Sequence, residues 1–386
     1  MRIDSAFLQD PALRRVLDML TGGGHQGLIV GGAVRNAVLG CPIGDIDLAT
    51  DAPPRRVVEL AAAAGLKSIP TGIEHGTVTV IADGTPFEIT TFRRDVETDG
   101  RNAIVAFSDR IEEDAARRDF TMNALYARAS GELIDPVNGW ADLLRRELRF
   151  VGDPAERIRE DYLRILRFFR FLACYGDHIA PGTIEAIRAE KHGLPRVSAE
   201  RIGAEMRKLL AATDPAPAMS LMAETGVLAL ILGRANPTPL AALVAEEQAR
   251  GIAPDWLRRL SLILPEGGAD DLRLSRAETG RLDALDRAAR LSPAEAGFRH
   301  GAEIARDAAL IRLARGEVMP VDWPQQIARA AAAPLPITAA DLMPALAGPA
   351  LGRGLKAAER RWIDSGFTAS HVALIDAARR AGDEEA

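Results

Sequence analysis

The chain has 386 residues, 47% of them apolar, with 48 Lys and Arg against 54 Asp and Glu and a formal net charge of −6. That length accommodates two or more domains with sizeable cores, while the acidic balance argues against a uniformly basic nucleic-acid coat. Cys41 and Cys174 are too few for a disulfide framework, no apolar run reaches membrane-spanning length, and the start M-R-I-D-S-A-F-L-Q-D lacks a signal-peptide core, so a cytoplasmic protein is expected.

Pro11 to Leu20 reads as an amphipathic helix. Leu28, Ile29 and Val30 form the short apolar run of a buried strand. Gly31 and Gly32 then remove side chains where the backbone must turn and a partner must come close. A helical pattern runs from Ala33 to Leu39, and Gly40 stops it. After a Pro-Gly connection come Asp45 and Asp47, followed by Leu48 and Ala49. On a strand, residues two apart share a face, which would stand both carboxylates beside a glycine-lined helix start. Paired carboxylates repel unless a cation lies between them, and a hard ion such as Mg²⁺ prefers oxygen ligands. The helix start, with Arg35 on its first turn, is a natural anion site. Taken singly, Gly-Gly is a tight turn and Asp-x-Asp a solvated loop; together they suggest nucleotidyl transfer. A dinucleotide-binding loop would need G-x-G-x-x-G, which this stretch lacks.

The T-D-A-P-P segment predicts a helix capped by Thr50 or Asp51, running through Ala64 to Gly65. Thr77 to Ile81 and Phe87 to Phe92, joined by Asp83-Gly84, predict a hairpin. Glu88 on its second strand is either a third carboxylate near the metals or a solvated edge residue. From Arg93 to Ser108 the chain is charged with little periodicity and reads largely as a mobile loop. Ile111 to Arg128 is helix-like and contains R-R-D-F-T-M-N-A-L, from Arg117 to Leu125; Leu133 to Asp135 reads as a short strand. To about residue 140 strands and helices mix without a repeating βαβ unit. From Ala141 nearly everything reads as helix, broken at Pro and Gly joints and without a repeat period. The acidic end R-R-A-G-D-E-E-A reads as frayed tail.

Charge is unevenly placed. Between Ala141 and Leu210 there are 14 Lys and Arg against 11 Asp and Glu, and only four lysines occur in the whole chain. The planar fork of Arg suits RNA contact, although a GC-rich coding sequence would enrich Arg equally well. On a helix beginning near Arg157, Asp161, Arg164, Arg167 and Arg170 are spaced by three. At ~100° per residue Arg164 lies ~60° from Asp161, Arg167 ~120° and Arg170 ~180°, so only the first two are neighbours. An Asp–Arg pair offers an acceptor beside a fork of donors. Cytosine and adenine each show an amino donor next to a ring-nitrogen acceptor, whereas uracil and guanine reverse that order, so such a pair would admit C and A. The plainer alternative is a helix salt bridge worth a few tenths of a kcal/mol.

Three motifs, G-G-A-V-R with D-I-D, R-R-D-F-T-M-N-A-L and E-D-Y-L-R-I-L-R, stand in an order and spacing that resemble the class II tRNA nucleotidyltransferase and bacterial poly(A) polymerase family. The block from Arg196 to Leu210 resembles that family's next characteristic helix, and W-I-D-S-G-F near Trp362 is similar to its bacterial tails. The resemblance implies an α+β fold. A polymerase-β-like nucleotidyltransferase head with a small mixed sheet would span 1–140, a helical neck with the nucleotide-reading helix 141–210, and an all-α, RNA-binding body and tail 211–386. It implies an enzyme adding CCA to the tRNA 3′ end from CTP and ATP with Mg²⁺, away from membranes. By the same resemblance Asp45 and Asp47 would be catalytic metal ligands, and Gly32 and Arg35 would contact the triphosphate. Arg118 and Asp119 would contact ribose and phosphates, Asp161 and Arg164 would read the base, and Arg167 and Arg170 would bind nucleotide. Three departures stand out. Asn36 replaces the usual Asp of the first motif, the stretch from Thr98 to Val105 is shorter than the mobile loop of many CCA-adding members, and no His-Asp dipeptide marks a fused phosphohydrolase. The shorter loop leaves partial addition open, the shared head leaves poly(A) polymerase open, and an RNA-binding protein that has lost catalysis is the remote alternative.

Overall fold

The structure, a computed structural model, describes residues 1–99, 102–264 and 272–383. They form two compact units, one of Met1–Leu209 with Ala218–Ile231 and one of Leu210–Pro217 with Leu232–Ala386. The architecture is α+β, as expected.

In the first unit, helix α1 (Pro11–Gly22) begins at Asp10, whose side chain accepts from the backbone N–H groups of Ala12 and Leu13 at 2.8 and 3.0 Å. Strand β1 (Leu28–Val30) and helix α2 (Gly32–Leu39) follow, with Gly40 ending the helix in the left-handed conformation. Then come β2 (Asp47–Thr50), α3 (Pro54–Ala63), β3 (Lys67–Gly72), β4 (Thr77–Ala82) and β5 (Thr85–Thr91). Thr50 lies inside β2 and Asp51 turns back to accept from Gln26 N–H, so neither caps α3, which starts on Pro53 and Pro54 instead. The chain continues through β6 (Arg93–Asp99), β7 (Asn102–Phe107), α4 (Ile111–Ala116), β8 (Tyr126–Ala127) and β9 (Leu133–Ile134).

Seven strands make one mixed sheet in the order β3-β4-β5-β2-β1-β8-β9, with β2 and β5 parallel and the other pairs antiparallel. Leu28 and Val30 of β1 share a core with Ala49, Phe92, Ala115, Ala124, Tyr126 and Val151, while α1 and α3 pack against β4 and β5. Two expectations are corrected here. The segment read as a mobile loop is a two-stranded ribbon of β6 and β7, and residues 100–101 of it lie outside the described residues. The run of Arg, Asp and Glu in β6 offers no apolar alternation to recognise, whereas Ala103 to Phe107 of β7 is an apolar run compatible with a strand. The helix read over Ile111 to Arg128 ends at Ala116; a single turn at Thr121–Asn123 leads into β8. Asp119 accepts from the N–H of Phe120, a local bond that competes with helix.

The helical part of this unit runs through α5 (Gly139–Leu144), β10 (Glu147–Leu148), α6 (Pro154–Glu160), α7 (Leu163–Tyr175), β11 (His178–Ile179), α8 (Thr183–Glu190) and α9 (Ala199–Leu210). The continuous helix expected from Arg157 is broken at Asp161, whose backbone is extended (φ −153°, ψ 104°) and whose carboxylate accepts from Leu163 N–H at 3.1 Å. The side chain takes over the first turn of α7, as short acidic residues do at helix starts. Helices α10 (Ala216–Glu224) and α11 (Val227–Leu232) follow.

The second unit is helical: α12 (Leu240–Ala249), α13 (Trp256–Ile263), α14 (Arg276–Ala289), α15 (Pro293–Ala314), α16 (Trp323–Ala331), α17 (Ala339–Leu342), α18 (Gly348–Asp364) and α19 (His371–Asp383). Its centre is ionic. Glu247 accepts from both Arg258 and Arg259, and Arg258 also donates to Asp307 at 2.8 Å, with all four residues at most 1% exposed. The end expected to fray is helical to Asp383, with Ala378 buried against α18 residues; 384–386 lie outside the described residues. Among the described residues no helix is long and apolar enough to cross a membrane.

Candidate active site

The turn between β1 and α2 is built as the glycines suggest. Gly31 has φ +71°, where a side chain would be strained, and Gly32 opens the helix. Asp45 precedes β2 and Asp47 opens it, both solvent-accessible. In the parallel β2–β5 pair Asp47 stands opposite Glu88, which is also exposed. Restricted solvation, then Glu88 and Asp45, push the Asp47 carboxyl above the usual carboxylate range, while the Arg118 guanidinium pulls it back. Three carboxylates with one nearby cation leave an electrostatic demand that a divalent ion would meet. Among the described residues no group of three or more His, Cys, Asp or Glu is placed to hold a metal by itself.

Arg35 is only 6% exposed, and its guanidinium donates to Asn36 Oδ1 and, at 2.5 Å, to Asn123 Oδ1. It stacks over the Tyr175 ring at 3.8 Å, and burial lowers its pKa. Asn36, which departs from the motif, also donates from Nδ2 to Pro42 O at 2.7 Å and so ties α2 to the loop carrying Asp45.

Arg118 and Asp119 leave the end of α4 in different directions. Arg118 is held by Asp114 and the Tyr126 hydroxyl, with Nη1 3.7 Å from the place a Cβ on Gly31 would take. Asp119 accepts from Asn123 Nδ2 at 3.0 Å and from Arg167 Nε at 2.7 Å. Burial opposes its ionisation, but the Arg167 guanidinium and these bonds keep the carboxyl below the usual range. Arg170 lies 2.7 Å from Glu205 of α9. Arg35, Arg167 and Arg170 all surround the Phe171 ring, at 5.1, 5.4 and 4.5 Å.

Asp161 and Arg164 are not paired. Asp161 meets Arg201 of α9 at 2.6 Å, whereas Arg164 pairs with Glu160 and donates to the Arg157 carbonyl at 2.7 Å. The two stay one turn apart, the Arg164 N–H donating to the Asp161 carbonyl at 2.9 Å, but their side chains take different partners because the backbone turns at Asp161. The same break removes Arg170 from the wheel reckoned from Asp161 and leaves it beside Arg167. Asp114, Asn123, Tyr126, Arg201 and Glu205 join the site through these contacts and carry no motif of their own in the sequence. Asp114, four residues before Arg118, and Asn123, four after Asp119, have a helical spacing that signals a role.

Residues 28–149 match the family described as poly A polymerase head domain. That match covers about a third of the chain. Residues 178–237 match a second description, the probable RNA- and SrmB-binding site of polymerase A. The chain is 42% identical over 218 residues to a CCA-adding enzyme of Anoxybacillus flavithermus, covering 56% of this chain and 54% of that protein. It is 43% identical over 203 residues to the human mitochondrial CCA tRNA nucleotidyltransferase 1, covering 51% and 46%. The matches thus span about half the length of these curated relatives. Along the whole fold the chain is similar to the crystal structure of the Bacillus stearothermophilus CCA-adding enzyme in complex with CTP, with a TM-score of 0.76, 29% identity and 98% of each chain covered. Nucleotidyltransferases of this head family generally use a divalent metal.

Proposed function

We propose that this protein is a template-independent RNA nucleotidyltransferase that adds C, C and A to the 3′ end of tRNA from CTP and ATP. The observation that carries the reading is the electrostatic one. Asp45, Asp47 and Glu88 gather negative charge at β2 and β5, while the Gly31–Gly32 turn opens α2 nearby with Arg118 beside it. Asp45 and Asp47 would hold Mg²⁺, which when bound supplies activation of the terminal 3′-hydroxyl and neutralisation of the leaving pyrophosphate. The chain's own part is to place the nucleotide. The backbone at Gly32 and the donors of Arg35 and Arg118 would receive the triphosphate. Asp119 would orient the sugar while Arg167 and Arg170 hold the nucleotide, and Asp161 with Arg164 would read the base edge. In this reading residues 1–140 are the catalytic head, 141–210 the neck that reads the nucleotide, and 211–386 the RNA-binding body and tail. Two free cysteines suit a cytoplasmic setting.

The test is to sequence the 3′ ends produced from a tRNA transcript lacking CCA, given CTP, ATP and Mg²⁺. Addition of CCA and then arrest is the expected product. Long A tracts would instead identify a poly(A) polymerase, ends stopping at CC or requiring CC would identify a partial enzyme, and absence of metal-dependent turnover would leave an RNA-binding protein.

A further inference from the structure

We propose that Asp114, with the Tyr126 hydroxyl, is the positioning residue that aims Arg118 at the substrate phosphates. This rests on the proposed phosphate contact of Arg118. Asp114 is 1% exposed and lies on α4, one turn before Arg118. Its Oδ2 accepts from Arg118 Nη2 at 2.9 Å, from Arg118 Nε at 3.3 Å and from the Tyr126 hydroxyl at 2.6 Å. Its Oδ1 accepts from Arg117 Nε and Nη2 at 2.9 and 2.7 Å. Tyr126 in turn accepts from Arg118 Nε at 3.1 Å. Two of the three guanidinium nitrogens of Arg118 are therefore committed to one buried carboxylate and one phenol. The third, Nη1, is the one directed towards the Gly31 turn.

The anchor is rigid. Tyr126 pairs in register with Val30 at the end of β1, immediately before that turn, and its ring meets Phe92 edge-on at 6.4 Å. The strand that ends in the glycine turn thus also fixes, through its neighbour, the arginine facing the turn. A planar fork held on two nitrogens has little freedom at the third, so the cost of orienting it is met by folding rather than by substrate binding.

The experiment measures KM for CTP and for ATP, kcat and melting temperature. Tyr126→Phe removes one hydroxyl and keeps the ring; Asp114→Asn removes the charge. The expected result for Tyr126→Phe is a KM raised about threefold to tenfold, with kcat within about twofold of wild type. Asp114→Asn should raise KM further, with Asp114→Glu recovering part of the loss. In an Arg118→Ala background neither change should raise KM again, because both act through that side chain. A folded Tyr126→Phe protein with unchanged KM, beside an Arg118→Ala protein whose KM is raised, overturns the positioning role alone. An Arg118→Ala protein with unchanged KM overturns the phosphate contact itself. If Asp114→Asn fails to fold, Tyr126→Phe and the double variant still decide.

Discussion

Base choice is the sharpest place to challenge the proposed function, because the structure puts Asp161 in other hands. Both of its oxygens are used: one by Leu163 N–H at 3.1 Å, the other by Arg201 at 2.6 Å. Asp161→Asn is the informative change, since the amide oxygen can still accept from Leu163 and preserve the start of α7. If the carboxylate also receives the amino group of cytosine or adenine, the amide weakens that bond and offers a donor to the carbonyl of uracil. Losing a charge-assisted hydrogen bond costs about 1.5–3 kcal/mol, which lowers the preference for CTP over UTP by about 10- to 150-fold. Arg201→Ala serves as the control: it removes the ion pair but leaves the carboxylate, so the preference should persist. The assay is the ratio of kcat/KM for CTP and UTP on a tRNA transcript without its CCA end. The Asp161–Arg201 pair is part-exposed, with side chains 25% and 33% accessible. As a bridge alone it contributes at most about 1 kcal/mol of stability and no selectivity. A ratio in Asp161→Asn within twofold of wild type refutes the base-reading role.

Asp45→Asn and Asp47→Asn should each cut metal-dependent incorporation by about 10²-fold or more, with tRNA affinity in a gel-shift titration unchanged; a parallel loss of affinity would count against a purely catalytic role. Glu247→Ala should destabilise the helical unit by about 3–5 kcal/mol in urea melts, because it strands Arg258 and Arg259 in the interior, whereas a loss below about 1 kcal/mol would show that water replaces the carboxylate. Acid should act through Asp119, whose folded carboxyl is held below its unfolded value. Its contribution is complete above the unfolded pKa of about 4 and is lost as pH falls through the lower folded value. Melting temperatures taken between neutral and acidic pH should therefore fall more steeply for the wild type than for Asp119→Asn; equal slopes would deny Asp119 that role.

The stretch from Leu28 to Asp47 was legible because its causes are local. An apolar triplet, a glycine at positive φ and a left-handed Gly40 each declare themselves within a few residues. The mixed sheet was legible as far as the β4–β5 hairpin, whose Asp83-Gly84 turn carries its own signal. The break at Asp161 was hidden because apolar residues on both sides keep helical spacing while one side chain takes the backbone donor of Leu163. Arg201 and Glu205 were hidden for another reason. Their partners are Asp161, Arg167 and Arg170, some 35 to 40 positions away, and nothing in a single sequence ranks one such pairing above another.

Those pairings also change what the arginine-rich helix α7 can offer a nucleotide in the proposed function. Arg164, Arg167 and Arg170 each have their own carboxylate, Glu160, Asp119 and Glu205 respectively, so the excess of Arg there is mostly neutralised within the fold. Arg35 differs. It is buried, yet its hydrogen-bond partners Asn36 and Asn123 are neutral, and the ring faces of Phe171 and Tyr175 supply only partial compensation. Had Asn36 been the Asp usual in the motif, that cation would carry a permanent counter-charge; as Asn it keeps its charge available and uses its own amide to hold Pro42. The one carboxylate that acts on Arg35, Asp119, is already paired with Arg167, so a further anion would relieve the cost of burying this guanidinium. In the proposed function the arriving anion is the triphosphate, and the energy withheld from folding at Arg35 becomes binding energy at the turn where Gly31 and Gly32 leave room for it.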